Sequence, residues 1–151
     1  MRRRPPSLNV HMKNKTIASW LAFLGGPLGL HRFYLNGSRD WLGWSLPILS
    51  ALGFYGVLRV RAFGVDDRWS WLLLPLLGLS IAGCALTAIV YGLMTAEKWN
   101  GKFNHLESAE NPAGDTNWFT IAAVVFSLLV GAAALIAAIA FSFQRFFEFH
   151  A

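Results

Sequence analysis

Apolar residues fall into four long runs along this chain, at 17–30, 41–58, 69–94 and 118–143, and none of the four contains Asp, Glu, Lys or Arg. A helix that crosses a bilayer needs about 20 mostly apolar residues, with a range of about 17–25. The third and fourth runs meet that length outright and the second meets it narrowly. The first is short unless Phe33, Tyr34 and Leu35 carry it to the interface. Between the runs the pattern turns polar. Residues 36–40 (Asn, Gly, Ser, Arg, Asp) read as a tight turn, and 59–68 is basic with Asp66 and Asp67 embedded. Residues 95–117 form the one long hydrophilic stretch, with Glu97, Glu107, Glu110 and Asp115 against Lys98 and Lys102, and Asn111-Pro112-Ala113-Gly114 as a loop signal. The pattern predicts an all-α, polytopic membrane protein with four transmembrane helices. Its parts would be a basic tail at 1–15, a helical hairpin at 16–61, and two further helices within 69–147 joined by the 95–117 loop.

Composition strengthens this reading. The chain is 55% hydrophobic and 14% charged, with a mean hydropathy of +0.44. A soluble globular domain carries about 25% charged residues, so these charges cannot cover a water-soluble fold of 151 residues. The seven tryptophans cluster at the ends of the runs: Trp20, Trp41, Trp44, Trp69, Trp71 and Trp118 near their starts, and Trp99 after the third. Amphipathic indoles at run ends make an aromatic belt at headgroup level.

The net charge of +5 does not point to nucleic acid, because the basic residues sit between apolar runs and form no binding motif. Their place there sets membrane orientation. With four crossings, one side carries nine Lys and Arg and the other four, which puts both termini in the cytoplasm. A rival arrangement has the first run, broken by Gly25, Gly26, Pro27 and Gly29, only dip into the membrane. Three crossings then remain, and the count is again nine against four. The four-crossing form is expected, because a broken segment exposed to lipid would leave backbone groups unsatisfied unless protein covers it. Arg2, Arg3, Arg4, Lys13 and Lys15 resemble the start of a signal peptide, but no small-x-small cleavage site follows, so the run is expected to stay as a helix. The lone Cys84 has no disulfide partner and reads as a small buried residue.

No enzyme signature is present. His11, His31, His105 and His150 are isolated and lack metal-ligand spacing, and there is no phosphate loop, nucleophile elbow or dinucleotide fingerprint. The expectation is no catalysis, no metal and no cofactor. The runs also lack the ionisable groups that ion-coupled transporters place at membrane depth. Small residues recur at helix-packing spacing: Gly25 with Gly29 (and Gly26 between them), Ser80 with Cys84, Ser127 with Gly131, Ala133 with Ala137. Pro47 and Pro75 are expected to kink the second and third helices. The quartet His31, Arg32, Phe33 and Tyr34 has two readings. It is a membrane-exit cluster in which Arg32 snorkels and Tyr34 joins the belt, or a recognition element held in a turn.

The segment from Lys13-Asn14-Lys15 through Leu24-Gly25-Gly26, Gly29, His31-Arg32-Phe33-Tyr34-Leu35 and Gly37 resembles the TM2 domain. The resemblance covers residues 13–61 and is to the bacterial members. It implies two transmembrane helices joined by a short linker, in an integral membrane protein without an assigned activity. One departure is clear. The family ends its second helix with an aromatic, an aliphatic residue and Asp, whereas here Phe54-Tyr55-Gly56-Val57-Leu58 runs into Arg59, so no role of that Asp carries over. The function expected is an interaction or membrane-organising module of the cytoplasmic (inner) membrane. Its partners would be the lipid bilayer and a membrane protein or a second copy, met through residues 31–36 and the 95–117 loop. The alternative is a small channel or transport subunit acting as an oligomer.

Overall fold

The structure, a computed structural model, describes residues 12–104 and 112–150, and every regular element among them is helical. In chain order these are α1 (Lys15–Leu24), α2 (Leu30–Asn36), α3 (Trp41–Phe63), α4 (Arg68–Leu93), α5 (Ala96–Phe103) and α6 (Trp118–His150), with 3₁₀ turns at Gly26–Leu28 and Pro112–Gly114. The basic tail at 1–11 and the stretch 105–111, which hold His11, His105, Glu107, Glu110 and Asn111, lie outside the described residues.

The helix starts are set by side-chain oxygens that accept orphan backbone N–H groups of the first turn. Asn14 caps α1, Asp40 caps α3, Asp67 caps α4 and Thr95 caps α5. Asn117 takes the N–H of Thr120 at 2.9 Å at the start of α6. Gly37 and Gly64, both with φ of 83°, close α2 and α3.

Three helices, α3, α4 and α6, are long and apolar enough to cross a membrane. The fourth expected span takes another form. Its helix stops at Leu24, because Pro27 has no N–H to donate and Gly29 adopts the left-handed conformation at φ 73°. The chain then reverses, and α2 runs back beside α1. The N–H of Asn14 donates to the Tyr34 hydroxyl at 2.9 Å, and the Lys13 ammonium donates to the carbonyl of Leu35. The start of α1 and the end of α2 therefore lie together, and the first run with the residues after it, 15–36, is a hairpin of two short helices. Its tip at Gly26 rests on Cys84, while Lys15 at its base reaches the carbonyl of Met94 at 2.9 Å. Those two points on α4 are ten residues apart, or about 15 Å along a helix.

The packing is turned inside out relative to a water-soluble bundle. Apart from the cluster around Lys15 and Trp99, the fully covered positions are mostly small: Ala18, Ala22, Ala88 and Ala123, with Ser19, Ser70 and Ser127. Large apolar side chains face outward, with Leu24 at 70% exposure, Trp41 at 81% and Trp118 at 76%. Soluble monomers do not leave apolar surface on that scale uncovered, whereas membrane helices meet through small residues.

Helix α4 is the hub, packing against α1, α3 and α6. Against α6 it runs antiparallel, with contacts at Gly78/Ala138, Ala85/Gly131 and Gly92/Val124. Each step is seven residues on both helices, the repeat of a left-handed coiled coil. Ser127 and Gly131 do lie on this seam, but Ala133 and Ala137 do not; Ala134 and Ala138 serve instead. Against α3 the contacts come from Gly53 and Gly56, whose bare Cα atoms sit on the backbone of Leu77 and Leu74, and from a Ser50–Ser80 hydrogen bond of 3.3 Å.

Candidate functional site

The quartet His31-Arg32-Phe33-Tyr34 lies on α2, and each side chain has a place inside the molecule. Arg32 grips Asp40 with Nε–Oδ2 at 2.7 Å and Nη2–Oδ1 at 3.3 Å. Asp40 also accepts from Asn36 Nδ2 at 2.8 Å and from the Leu42 N–H at 3.1 Å. The hydrogen bond from Arg32, helped by that from Asn36, holds the Asp40 carboxyl down at about 2. Phe33 fills the space a side chain at Gly43 would need, and its ring lies 5.3 Å from that of Trp44. Tyr34 takes the Asn14 N–H. His31 is 2% exposed, edge-on to Tyr91 at 6.2 Å, and its Nδ1 is buried without a hydrogen-bond partner.

A polar clasp locks the hairpin base. The Lys15 ammonium is fully buried and donates to the Met94 carbonyl at 2.9 Å and the Thr116 hydroxyl at 2.6 Å. Thr16 and Thr120 share a hydrogen bond of 2.7 Å. The Lys13 N–H donates to Asn104 Oδ1 at 2.9 Å, and the Lys13 carbonyl accepts from Trp99 Nε1 at 2.7 Å. Trp99 is fully buried among Ala18, Leu35, Tyr34, Tyr91 and Phe103. Residues 13–16, which the sequence offers as a positive flank, are therefore the knot that ties α1, α2, α5 and the start of α6.

The glycines divide their work differently from the expected common face. Gly25 lies outside α1 and meets Leu30 of its own hairpin, while Gly26 sits on Cys84 of α4. Gly29 alone meets α3, where it abuts the Gly43 carbonyl. That carbonyl is the one whose helical partner would be the N–H of residue 47, which is proline. So Pro47 frees an oxygen and Gly29 supplies the surface small enough to cover it.

Between α2, α3 and α4 lies a cavity of about 280 Å³, lined by His31, Arg32, Ser45, Ser80, Cys84 and Thr87 with leucines around them. The hydroxyls of Ser45, Ser80 and Thr87 donate to carbonyls of their own helices. Cys84 and His31 both line the cavity but share no hydrogen bond among the described residues, so they do not form a nucleophile–base pair. No group of three His, Cys, Asp or Glu side chains among the described residues could hold a metal ion. The arrangement is a weakly polar recess under the turn.

Comparison with family models, with curated proteins and with solved structures gives no match for this chain.

Proposed function

We propose that this chain is a multi-pass membrane protein with three crossings, α3, α4 and α6, and a re-entrant hairpin, α1–α2, that enters and leaves on one side. The reading replaces the expected four crossings. It is supported by the adjacency of Lys13 and Leu35 at the hairpin base and by the cover that Gly26, Gly29 and their neighbours find on α4 and α3. A tip about 15 Å deep reaches half of a hydrocarbon core of about 30 Å. The amino-terminal segment, residues 32–40 (with Arg32 held on Asp40 of the connector) and the 95–117 stretch then share a side with nine Lys and Arg, against four on the other. The positive-inside rule assigns that side to the cytoplasm and the end of α6 to the opposite face. Reporter fusions test this. Fusions after Val65 and at Ala151 are expected outside, and one after Asn111 inside; the reverse pattern restores four crossings.

Within that frame we infer a non-catalytic interaction or membrane-organising module of TM2 type in the cytoplasmic membrane. One observation carries it. No Asp, Glu, Lys, Arg or His occurs in 41–58, 69–94 or 118–143, and the seams there are closed by glycine, alanine and a serine pair, leaving nothing to line a path for ions. The quartet at 31–34 acts as the hairpin's lock, so the surface offered to a membrane partner or a second copy is the outward apolar face of α3 and α6. Cross-linking in cells from Phe54 and Leu129, both exposed, is expected to capture a defined partner or a dimer. A transport role has one observation in its favour, the unpartnered His31 Nδ1 beside a cavity. Solute-selective flux in liposomes that is lost in His31→Leu would establish that role instead.

A further inference from the structure

We propose that the cavity between the start of α4 and the end of α6 binds the phosphodiester of a membrane phospholipid, an inference that rests on the membrane reading above. The cavity has a volume of about 410 Å³ and is lined by Arg68, Trp71, Ser142, Arg145, Phe149 and neighbouring rings. It continues the α4/α6 seam one seven-residue step beyond Gly78/Ala138, where Trp71 and Arg145 replace the small residues and the helices can no longer close on each other. Trp69 and Trp71 mark this end as headgroup level.

Two cations face this cavity, and neither is fully used. Arg145 is 8% exposed, and its Nε is buried with no hydrogen-bond partner. Its Nη1 donates to Glu148 Oε2 at 2.6 Å and lies 3.5 Å from Asp66 Oδ1. Arg68 has no carboxylate partner among the described residues; its guanidinium lies over the Phe149 ring at 5.2 Å. Phe149 in turn meets Trp71 edge-on at 5.7 Å, and Trp71 is fixed by its Nε1 donating to the Val65 carbonyl at 3.1 Å. The site is thus a rigid aromatic wall with a buried guanidinium on one side and an unpaired one on the other.

Guanidinium forks match phosphate oxygens, and an arginine at a bilayer surface reaches for them. The carboxylate of Glu148 decides which phosphate. Glu148, at 2.6 Å, offsets much of the charge on Arg145, whereas Asp66, 94% exposed and 3.5 Å away, is screened by solvent, which leaves Arg68 as the uncompensated cation. A phosphodiester carries one negative charge and fits that balance, whereas free phosphate at neutral pH carries more. The aromatic wall favours a ligand whose phosphate continues into glycerol and acyl chains.

The test uses the full chain in detergent, with native mass spectrometry and thermal unfolding as readouts. The probes are phosphatidylethanolamine, phosphatidylglycerol, diacylglycerol with the same acyl chains, and inorganic phosphate. Both phospholipids are expected to bind and stabilise, diacylglycerol to do neither, and inorganic phosphate not to compete. Arg68→Gln, an exposed position, is expected to weaken phospholipid binding about tenfold, the scale of one charge-assisted hydrogen bond. Lys98→Gln at the other end is expected to change nothing. Arg145→Gln should lose more, and Arg68→Gln keeps the test valid where that variant does not fold. Equal binding of diacylglycerol, competition by inorganic phosphate, or an indifferent Arg68→Gln each overturns the proposal. A chain that stays in solution without detergent overturns the membrane reading itself, while a membrane-bound chain with no phospholipid preference overturns only the site.

Discussion

Gly29 and Gly37 both hold positive φ, at 73° and 83°, but their surroundings differ. A side chain at Gly37 would meet open space, whereas one at Gly29 would strike the Gly43 carbonyl. Gly37→Ala therefore costs backbone strain alone, about 1–3 kcal/mol, since φ 83° with ψ 177° is a region kept almost entirely for glycine. Gly29→Ala adds overpacking of about 1–3 kcal/mol. Thermal unfolding in detergent is expected to rank Gly29→Ala below Gly37→Ala, and equal midpoints would mean that the hairpin does not press on α3. The Arg32–Asp40 pair gives a pH signature. The folded Asp40 carboxyl lies at about 2, below its ordinary value. Its contribution is therefore complete above the ordinary carboxylate range and is lost as pH falls from about 4 towards 2. Asp67, held low by Arg59 and then by Ser70, acts in the same direction. Asp40→Asn, which keeps a capping oxygen, should flatten the acid limb of the unfolding profile without abolishing it. An unchanged acid limb would remove the pair from the stability of the turn.

Helices reveal themselves less through individual residues than through the rhythm of their contacts. On the α4/α6 seam each level holds about one Cβ of space: a Cβ on Gly131 would stand 2.6 Å from that of Ala85. Gly131→Ala is expected to destabilise by about 1–3 kcal/mol, and Ala85→Gly in the same chain to recover most of it. Additive losses in that double-mutant cycle would show that the two positions do not meet. Ala133→Leu, on the outer face, should be neutral. Three of the four runs were legible as helices because lack of charge over 18 or more residues has few other solutions. Their ends were less so: α3 continues past Leu58 through Arg59 and Arg61 to the Gly64 cap, and α6 continues to His150. Hydropathy could not see the hairpin, since the first limb alone is apolar and the second carries His31, Arg32 and Asn36, although Pro27 and Gly29 carried the turn signal. Nor could it see the caps at Asn14, Asp40, Asp67 and Asn117, which the helix-start rules would have found.

At the scale of the whole molecule, sequence could name the quartet at 31–34 but not its duties. Arg32 finds Asp40 eight residues on, within reach of local reasoning, whereas Tyr34 meets Asn14 and His31 meets Tyr91 only through the folded bundle. The seven-residue contact pattern of α4 with α6 was present in the spacing of Gly78, Ala85 and Gly92, but such a repeat has meaning only once its partner helix is known. The outward display of leucine and tryptophan predicts a bulk property. Carbonate extraction should leave the chain with the membranes, and its release into the aqueous phase would overturn three crossings and four alike.

The lock at the hairpin base also fixes an order of events in time. Helices of 10 and 7 residues cannot lie in lipid alone, because each unsatisfied backbone group there costs several kcal/mol. The surfaces that cover them belong to Gly43, Cys84, Met94 and Thr116, the last of which leaves the ribosome about a hundred residues after Lys15, some 5–20 s at ordinary synthesis rates. The hairpin is made before α3, α4 and α6 and has to be seated after them. If the hairpin is re-entrant as proposed, it must until then wait in water or in the insertion machinery, and its membrane integration is governed by the arrival of its neighbours and not by its own hydropathy.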